Sequence, residues 1–219
     1  MGASSKIIDL RQLLAERFPA SRLSTPARLE TGSATLDAAT EGGLPKGAVT
    51  ELTSPNLSAG TALLVYQLLA AATQGRYFMA LIDGRDSFAP SGLDGRSQAR
   101  LRNLLWVRCG HAVEAVKAAD LLLRDGNFPL VVLDLVLNPA EELRKIPSAS
   151  WYRLQRLVEP APTAFLVLTR RSMISSAQWK LVLENSWRLP DLEEESNCTR
   201  LKIQVQRVQG GRHAMAETG

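Results

Sequence analysis

Apolar residues in this chain form short, nearly continuous runs that alternate with longer segments in which they recur every three or four positions. The continuous runs cover residues 48–52, 77–83, 104–109, 129–136 and 163–171. The periodic segments cover residues 61–74, 111–126 and 151–160. Continuous runs are typical of strands buried on both faces, and the longer spacing is typical of helices. Their alternation predicts an α/β fold with a mostly parallel sheet flanked by helices.

The two ends of the chain follow different patterns. Residues 199–208 alternate between apolar and polar positions, which predicts a half-exposed strand at the sheet edge. Residues 6–18 predict an amphipathic helix whose apolar face carries Ile7, Leu10, Leu14 and Phe18. A segment rich in Pro, Ser and Thr follows it. We therefore predict an N-terminal helix and linker at 1–30, a core at 31–208 and a flexible tail at 209–219.

The N-terminal helix has two interpretations. It packs on its own domain, or it docks on a neighbouring subunit or another protein.

Composition narrows the classes of function without choosing one. The chain has 219 residues, 45% of them hydrophobic, which suffices for a sizeable core. A net charge of +4 permits nucleic-acid contact without requiring it. We see neither an 18-residue apolar window nor a signal peptide, and we predict a cytoplasmic protein without membrane contact. Cys109 and Cys198 are expected to be reduced thiols, and no ligand cluster predicts a metal site.

The segment SPNLSAGT, residues 54–61, lies between a predicted strand and a predicted helix, where a phosphate-binding loop would lie. Such a loop has the pattern G-x-x-x-x-G-K-[ST]. Here Ser54 and Ala59 replace its glycines, Gly60 replaces its lysine, and only Thr61 matches. A charge-assisted hydrogen bond contributes roughly 1.5–3 kcal/mol, so losing the lysine alone weakens triphosphate binding about 10- to 100-fold. We expect no nucleotide cofactor, although weak anion binding at the helix start stays open.

A longer stretch carries a family resemblance. The segment TGSATLDAATEGGLPKGAVTELTSPNLSAGT resembles the opening of the RecA core in its T-G-S-x-x-L-D segment and its G-G-L-P-x-G turn. The resemblance covers residues 31–208 and implies a RecA-like sheet. It places Arg85 where the family has its catalytic glutamate, Asp134 at the Walker B aspartate, and Thr169 at the nucleotide-sensing glutamine. Without the lysine and the glutamate, Thr61 and Asp134 do not support phosphoryl transfer. Asp134 has a plainer interpretation as a strand-end aspartate that caps nearby backbone.

A RecA-like core with an erased nucleotide site resembles the ImuA family. That resemblance implies a non-catalytic accessory protein in DNA-damage-induced translesion synthesis. Its implied partners are an ImuB-type, Y-family-like polymerase and a DnaE-type error-prone polymerase, with RecA, DNA and self-association as further candidates. Two alternatives stay open: a SulA-like inhibitor of cell division that binds FtsZ, and a divergent ATPase that supplies its lysine from Lys46.

The segment after the last continuous apolar run begins with Arg170 and Arg171, and Trp179 follows within it. One interpretation is a DNA-contacting loop in which Trp179 stacks on a base. The other is a surface loop in which Trp179 packs back on the domain.

Overall fold

The computed structural model describes residues 27–57, 59–90, 95–187 and 201–208, and the side chains of residues 95–97 are not included. The predicted N-terminal helix, with Ile7, Leu10, Leu14 and Phe18, lies outside the described residues, as does the predicted tail at 209–219. Among the described helices, none combines the length and the apolar character that crossing a membrane requires.

Strands and helices alternate along the described chain. In chain order the elements are β1 (Arg28–Leu29), α1 (Ala34–Ala39), β2 (Leu44–Pro45), β3 (Ala48–Thr53), α2 (Thr61–Gln74), β4 (Met79–Asp83), α3 (Gly95–Arg100), a 3-10 turn (Leu101–Asn103), β5 (Leu104–Arg108), α4 (Ala112–Asp125), β6 (Leu130–Asp134), α5 (Ala140–Arg144), α6 (Ser148–Val158), β7 (Ala164–Thr169), β8 (Trp179–Leu183) and β9 (Ile203–Val208).

The described residues form a seven-stranded sheet in the order β5-β4-β6-β7-β3-β8-β9, beside a two-stranded β1-β2 ribbon. Every pairing in the large sheet is parallel except that of β8 with β9. This confirms the predicted α/β class and the edge strand near the C-terminus. Helix α4 ends as predicted at Gly126, which takes the left-handed conformation (φ 68°) that glycine tolerates.

The sheet is covered on both faces by two separate apolar clusters. Leu130 and Val132 of β6 contribute to the cluster under α2, whereas Val131 and Leu133 contribute to the cluster under α4 and α6. Successive strand residues point to opposite faces, so a strand buried on both sides must be apolar at every position. This is the physical origin of the continuous apolar runs in the sequence.

A loop is present at residues 170–178, as predicted, but it ends in strand β8, which the sequence analysis missed, and Trp179 packs back on the domain. Strand β8 pairs in parallel with β3, and its first residue, Trp179, is only 6% exposed. The indole packs in the core with the Arg28 guanidinium 5.3 Å from its ring centroid. Trp179 therefore does not present a base-stacking surface. The sequence did not reveal this strand because a lysine at position 180 suggests a solvent-exposed loop. In the structure the Lys180 ammonium instead lies 3.3 Å from the fully buried carboxylate of Glu51.

Candidate nucleotide site at the strand tips

The carboxyl ends of β3, β4, β6 and β7 lie at one edge of the sheet, which is where open α/β folds bind ligands. The connection from β3 to α2 begins at this edge. The N–H of Ser54 donates to the Thr169 carbonyl at 2.7 Å, and the Ser54 hydroxyl donates to the Asn56 carbonyl at 3.0 Å. The strand–loop–helix arrangement of a phosphate-binding loop is therefore present.

The loop places its left-handed residue at Gly60, directly before α2. Gly60 has φ 93°, and Ala59 is fully buried. The described non-glycine residues with positive φ are Glu41, Arg76 and Asp86, so Ala59 is not among them. Alanine disfavours positive φ, but this loop needs that conformation at position 60 and not at position 59, so Ala59 introduces no backbone strain.

The side chain of Trp187 occupies the space above Gly60. A Cβ atom built on Gly60 would lie 2.6 Å from the Trp187 atoms Cη2 and Cζ3, and 3.0 Å from Cδ2 of Leu201. Such approaches are well inside van der Waals contact. Trp187 is half-buried and packs against the core cluster under α2. The indole thus fills the path along which a lysine side chain would leave this position. We call this contact the tryptophan plug.

Polar contacts hold the neighbouring segments over the loop. The Asn56 side-chain amide donates to the Asn185 carbonyl at 3.4 Å. The Asn185 side-chain oxygen accepts the Lys202 N–H at 2.6 Å, which joins the segment after β8 to the segment before β9. The exposed guanidinium of Arg170 donates to the Pro55 carbonyl at 3.4 Å. The loop is therefore anchored to protein groups at several points.

Asp134 lies at the end of β6, in register with Asp83 at the end of β4. One Asp134 oxygen accepts the Val136 N–H at 3.0 Å, which agrees with the backbone-capping interpretation. Burial is the main cause that raises the pKa of Asp134 to about 6, and the charge of Asp83 raises it further, against the opposing hydrogen bond from Val136. Near neutral pH the ionised Asp134 carboxylate therefore lowers the stability of the folded protein.

Asp83 is buried, and its carboxylate accepts more hydrogen bonds than the carboxylate of Asp134 does. Its carboxylate accepts the backbone N–H groups of Ser87 (2.8 Å), Phe88 (2.7 Å) and Arg85 (3.3 Å), the Ser87 hydroxyl (3.2 Å) and the Trp106 indole N–H (3.3 Å). These five donors fold the loop after β4 around one carboxylate. Sequence analysis missed this role, although an aspartate that ends a buried strand is a signal for it.

Arg85 takes part in a network of hydrogen bonds and ion pairs at the protein surface. Its guanidinium donates to the Gly110 carbonyl at 3.0 Å and contacts Glu142 at 3.2 Å. Glu142 also accepts the Ala112 N–H at the start of α4 and the Asn138 amide, and these two hydrogen bonds hold its pKa below the usual range. A positive charge paired with a carboxylate cannot replace a general base.

The other predicted residues have simple placements. Thr169 is fully buried, with no hydrogen-bond partner for its hydroxyl among the described residues. Thr61 is the partly exposed first residue of α2, and Arg171 is exposed beside Arg170. Among the described residues, we find no group of three or more His, Cys, Asp or Glu side chains that could hold a metal ion.

Lys46 does not lie near the loop. Its N–H donates to the Ala27 carbonyl, and it bridges to Ala164 at the amino end of β7. Strand β3 separates it from the loop, and the six residues of that strand span about 20 Å. This distance is several times the length of a lysine side chain. The hypothesis that Lys46 supplies the missing lysine is therefore wrong for this fold.

Comparison with known proteins identifies relatives of this chain among RecA proteins. Residues 20–157 match the RecA N-terminal domain family. Protein RecA of Acinetobacter baylyi is 34% identical over 123 residues, covering 52% of this chain and 33% of that protein. Protein RecA of Frankia alni is 33% identical over 118 residues, covering 52% of this chain and 34% of that protein. The matched part of the chain thus spans about a third of the length of these curated relatives.

Proposed function

The chain belongs to the RecA N-terminal domain family, and from that premise we propose that it is a non-catalytic RecA-fold adaptor in DNA-damage-induced translesion synthesis, acting through protein–protein contacts. The tryptophan plug is the observation that carries this proposal. A nucleotide loop needs open space and a cation at the outer phosphates, and here an indole fills the space at Gly60.

The other strand tips support the same conclusion. Arg85 stands at the position that the RecA resemblance assigns to the catalytic glutamate, and it is paired with Glu142. Asp134 persists, but its raised pKa and its hydrogen bond from Val136 suit a half-buried backbone cap. Lys46 lies at the far end of β3 and so does not replace the lost lysine. Catalysis of phosphoryl transfer would need several of these features together.

The partners of the proposal follow from the resemblance to the ImuA family. They are an ImuB-type, Y-family-like polymerase and a DnaE-type error-prone polymerase in the cytoplasm, with RecA, DNA and further copies of this chain as additional candidates. Arg170 and Arg171 are exposed and available for such contacts, whereas Trp179 is not.

Equilibrium titration with a fluorescent ATP analogue and Mg²⁺ tests the loss of nucleotide binding. A RecA protein that binds the analogue serves as the positive control. We expect no saturable binding by this chain in the micromolar range, because both the lysine and the space for it are missing. Saturable, Mg²⁺-dependent binding in that range would overturn the non-catalytic assignment.

Co-purification from DNA-damaged cells tests the pathway. The tagged full chain, produced at equal levels in damaged and undamaged cultures, is expected to recover an ImuB-type polymerase, with higher recovery after damage. Recovery of FtsZ together with cell filamentation would replace the proposal with the division-inhibitor function.

A further inference from the structure

Helices α4 and α6 run in the same direction on one face of the sheet and leave a cleft between them. Its first part has a volume of about 370 Å³ and lies between the middle of α4 and the first turns of α6. Its second part, of about 350 Å³, lies between the carboxyl ends of the two helices. Val116, Leu123 and Leu154 are buried in its floor, and Leu121 at its lip is 67% exposed. The cleft is therefore an apolar groove about as long as α6, or roughly 16 Å.

Basic side chains dominate the walls of this cleft. The charged residues that line its two parts are Lys117, Asp120, Arg124, Arg153 and Arg156. Four basic groups and one acidic group give the cleft a net charge of +3, whereas the whole chain has a net charge of +4. The cleft is therefore far more basic than the rest of the chain, where acidic and basic residues nearly balance.

The single carboxylate in the cleft does not neutralise these basic groups. Asp120 accepts hydrogen bonds from Nε (2.6 Å) and Nη2 (3.0 Å) of Arg153 and from Nε of Arg124 (2.9 Å). One negative charge is thus shared between two guanidinium groups, whose side chains are 60% and 52% exposed. Lys117 and Arg156 are exposed as well, and neither has a hydrogen-bond or ion-pair partner among the described residues. An anionic partner would therefore meet positive charge that the described part of the chain leaves unpaired.

The other acidic residues of these helices lie outside the cleft. Glu114, Asp125 and Glu159 line neither part of it, and each accepts a hydrogen bond from a neighbouring backbone or side-chain amide. Among the described residues that line the cleft, none is aromatic, so it offers no face on which a nucleic-acid base would stack. An apolar floor between basic walls instead matches a protein segment with one apolar face flanked by carboxylates.

We propose that the α4–α6 cleft binds an acidic, amphipathic helix of a partner protein. The apolar face of that helix packs on Leu121 and the floor of the cleft, and its carboxylates pair with Lys117 and Arg156. The floor supplies buried apolar area, while the charges at the rim fix the position of the helix and exclude basic segments. This inference rests on the adaptor role proposed above and names the surface that such protein contacts use.

Selection of peptides from a random library displayed on phage tests the chemistry of the partner. Peptides of roughly 14 residues, about four helical turns, are selected on the full chain after depletion on the Lys117→Glu/Arg156→Glu variant. We expect the selected peptides to carry an excess of Asp and Glu, with apolar residues every three or four positions. Selected peptides without an acidic excess, or no enrichment at all, would overturn the proposal.

Fluorescence anisotropy with a labelled selected peptide measures the contribution of each wall. We expect Lys117→Glu/Arg156→Glu to weaken binding at least about tenfold, because two attractive contacts become repulsive. Leu121→Ser, at the exposed lip, is expected to weaken it several-fold. The matched control is Arg102→Glu, since Arg102 is exposed and its neighbour Leu101 packs on the opposite face of the sheet. All these side chains are exposed, so urea midpoints close to that of the unsubstituted chain are expected.

The control variant and a second probe separate the other occupants. An equal loss of affinity in Arg102→Glu would show attraction to net charge alone and would end the proposal. The same would follow if labelled single-stranded DNA, and not the peptide, depended on Lys117 and Arg156. Because these titrations contain no nucleoside triphosphate, their result is independent of the ATP-analogue titration that tests the non-catalytic assignment.

Discussion

Strand β3 is flanked by two glycine-bearing loops that differ in what their glycines contact. In the turn before β3, a Cβ on Gly43 would lie 2.4 Å from the Leu29 carbonyl oxygen, and one on Gly47 would lie 2.9 Å from the Glu159 carbonyl oxygen. In the loop after β3, a Cβ on Gly60 would meet the Trp187 side chain. At the first two glycines, the atoms that a Cβ would meet belong to the main chain, which no side-chain substitution can remove. All three glycines have positive φ, so the third differs from the first two in that the group its Cβ would meet is one removable side chain.

This difference explains which parts of the RecA pattern the chain keeps. The segment before β3 has a structural role: Asp37 accepts the Thr31 N–H at 2.9 Å and the Thr31 hydroxyl at 2.7 Å, which fixes the chain before α1. The loop after β3 has lost its lysine, yet the same strand and helix still flank it. The fold therefore depends on the motif at the amino end of β3 and is compatible with a different loop at its carboxyl end.

The largest expected effect comes from Gly43→Ala. The added methyl group would collide with backbone atoms, and the turn would force the alanine to adopt φ 126°, which L residues disfavour. We therefore expect the free energy of unfolding to fall by about 2–4 kcal/mol. Urea unfolding followed by circular dichroism measures it. Gly42→Ala is the matched control, because Gly42 also has positive φ (106°) but its Cβ would find only the flexible Arg28 side chain, at 4.0 Å. Equal losses in both variants would show that φ alone, not the close backbone contact, fixes the turn.

The loop after β3 can be tested by replacing both partners of the tryptophan plug. Gly60→Lys is expected to lower the free energy of unfolding by about 1–3 kcal/mol, through overpacking against Trp187 and through a lysine at positive φ, and not to restore nucleotide binding. Combined with Trp187→Gly, the lysine gains space, so the double variant should be more stable than the sum of the single changes by about 1–2 kcal/mol. A double-mutant cycle by urea unfolding measures this coupling, and strict additivity would show that the indole and position 60 do not compete for space.

Sequence analysis predicted the parts of the fold in which local pattern and tertiary environment agree. Strands β6 and β7 are buried on both faces, so their apolar runs were unambiguous. Strand β8 was missed because Lys180 looks solvent-exposed until the buried Glu51 is seen beside it. The ribbon of β1 and β2 was missed because two-residue strands carry no periodicity.

From the sequence we could predict which residues of a nucleotide site are missing, but not which side chains replace them. The absence of a lysine is visible at Gly60, but the tryptophan that fills its place comes from a distant segment with no motif of its own. Likewise, nothing local distinguishes Asp83 from Asp134, although one accepts five hydrogen bonds and the other accepts one from Val136. Such differences arise from side chains brought together by folding.

The two strand-end aspartates give a pH-dependent prediction. Folding raises the pKa of Asp134 from 3.8 to about 6, so its proton is held more tightly in the folded state. Its contribution to stability is therefore greatest below about pH 4 and falls as the pH rises through 6. Asp134→Asn keeps an acceptor for Val136 and removes the charge. We expect it to be nearly neutral at pH 4 and to raise the free energy of unfolding by about 1–2 kcal/mol at pH 7.5.

Urea unfolding at both pH values measures the Asp134→Asn effect, and Asp83→Asn is the control. The amide in this control keeps only one oxygen for donors that now surround two, so the variant is expected to destabilise the fold at both pH values. If Asp134→Asn destabilises the protein at pH 7.5, the Asp134 carboxylate has a stabilising partner and the backbone-cap interpretation fails.

The smallest effect is expected at Arg85, which occupies the position that the RecA resemblance assigns to the catalytic glutamate. Arg85→Glu restores a carboxylate there but directs it toward Glu142, so we expect a slight fall in the urea midpoint and no ATP hydrolysis. Arg85→Gln, which loses the ion pair without adding repulsion, should fall still less. Phosphate release assayed with Mg²⁺-ATP checks the chemistry. Hydrolysis by Arg85→Glu alone would mean that the loop after β3 still holds a triphosphate, and the contrast between the two flanks of β3 would then lie in one catalytic residue and not in the plug.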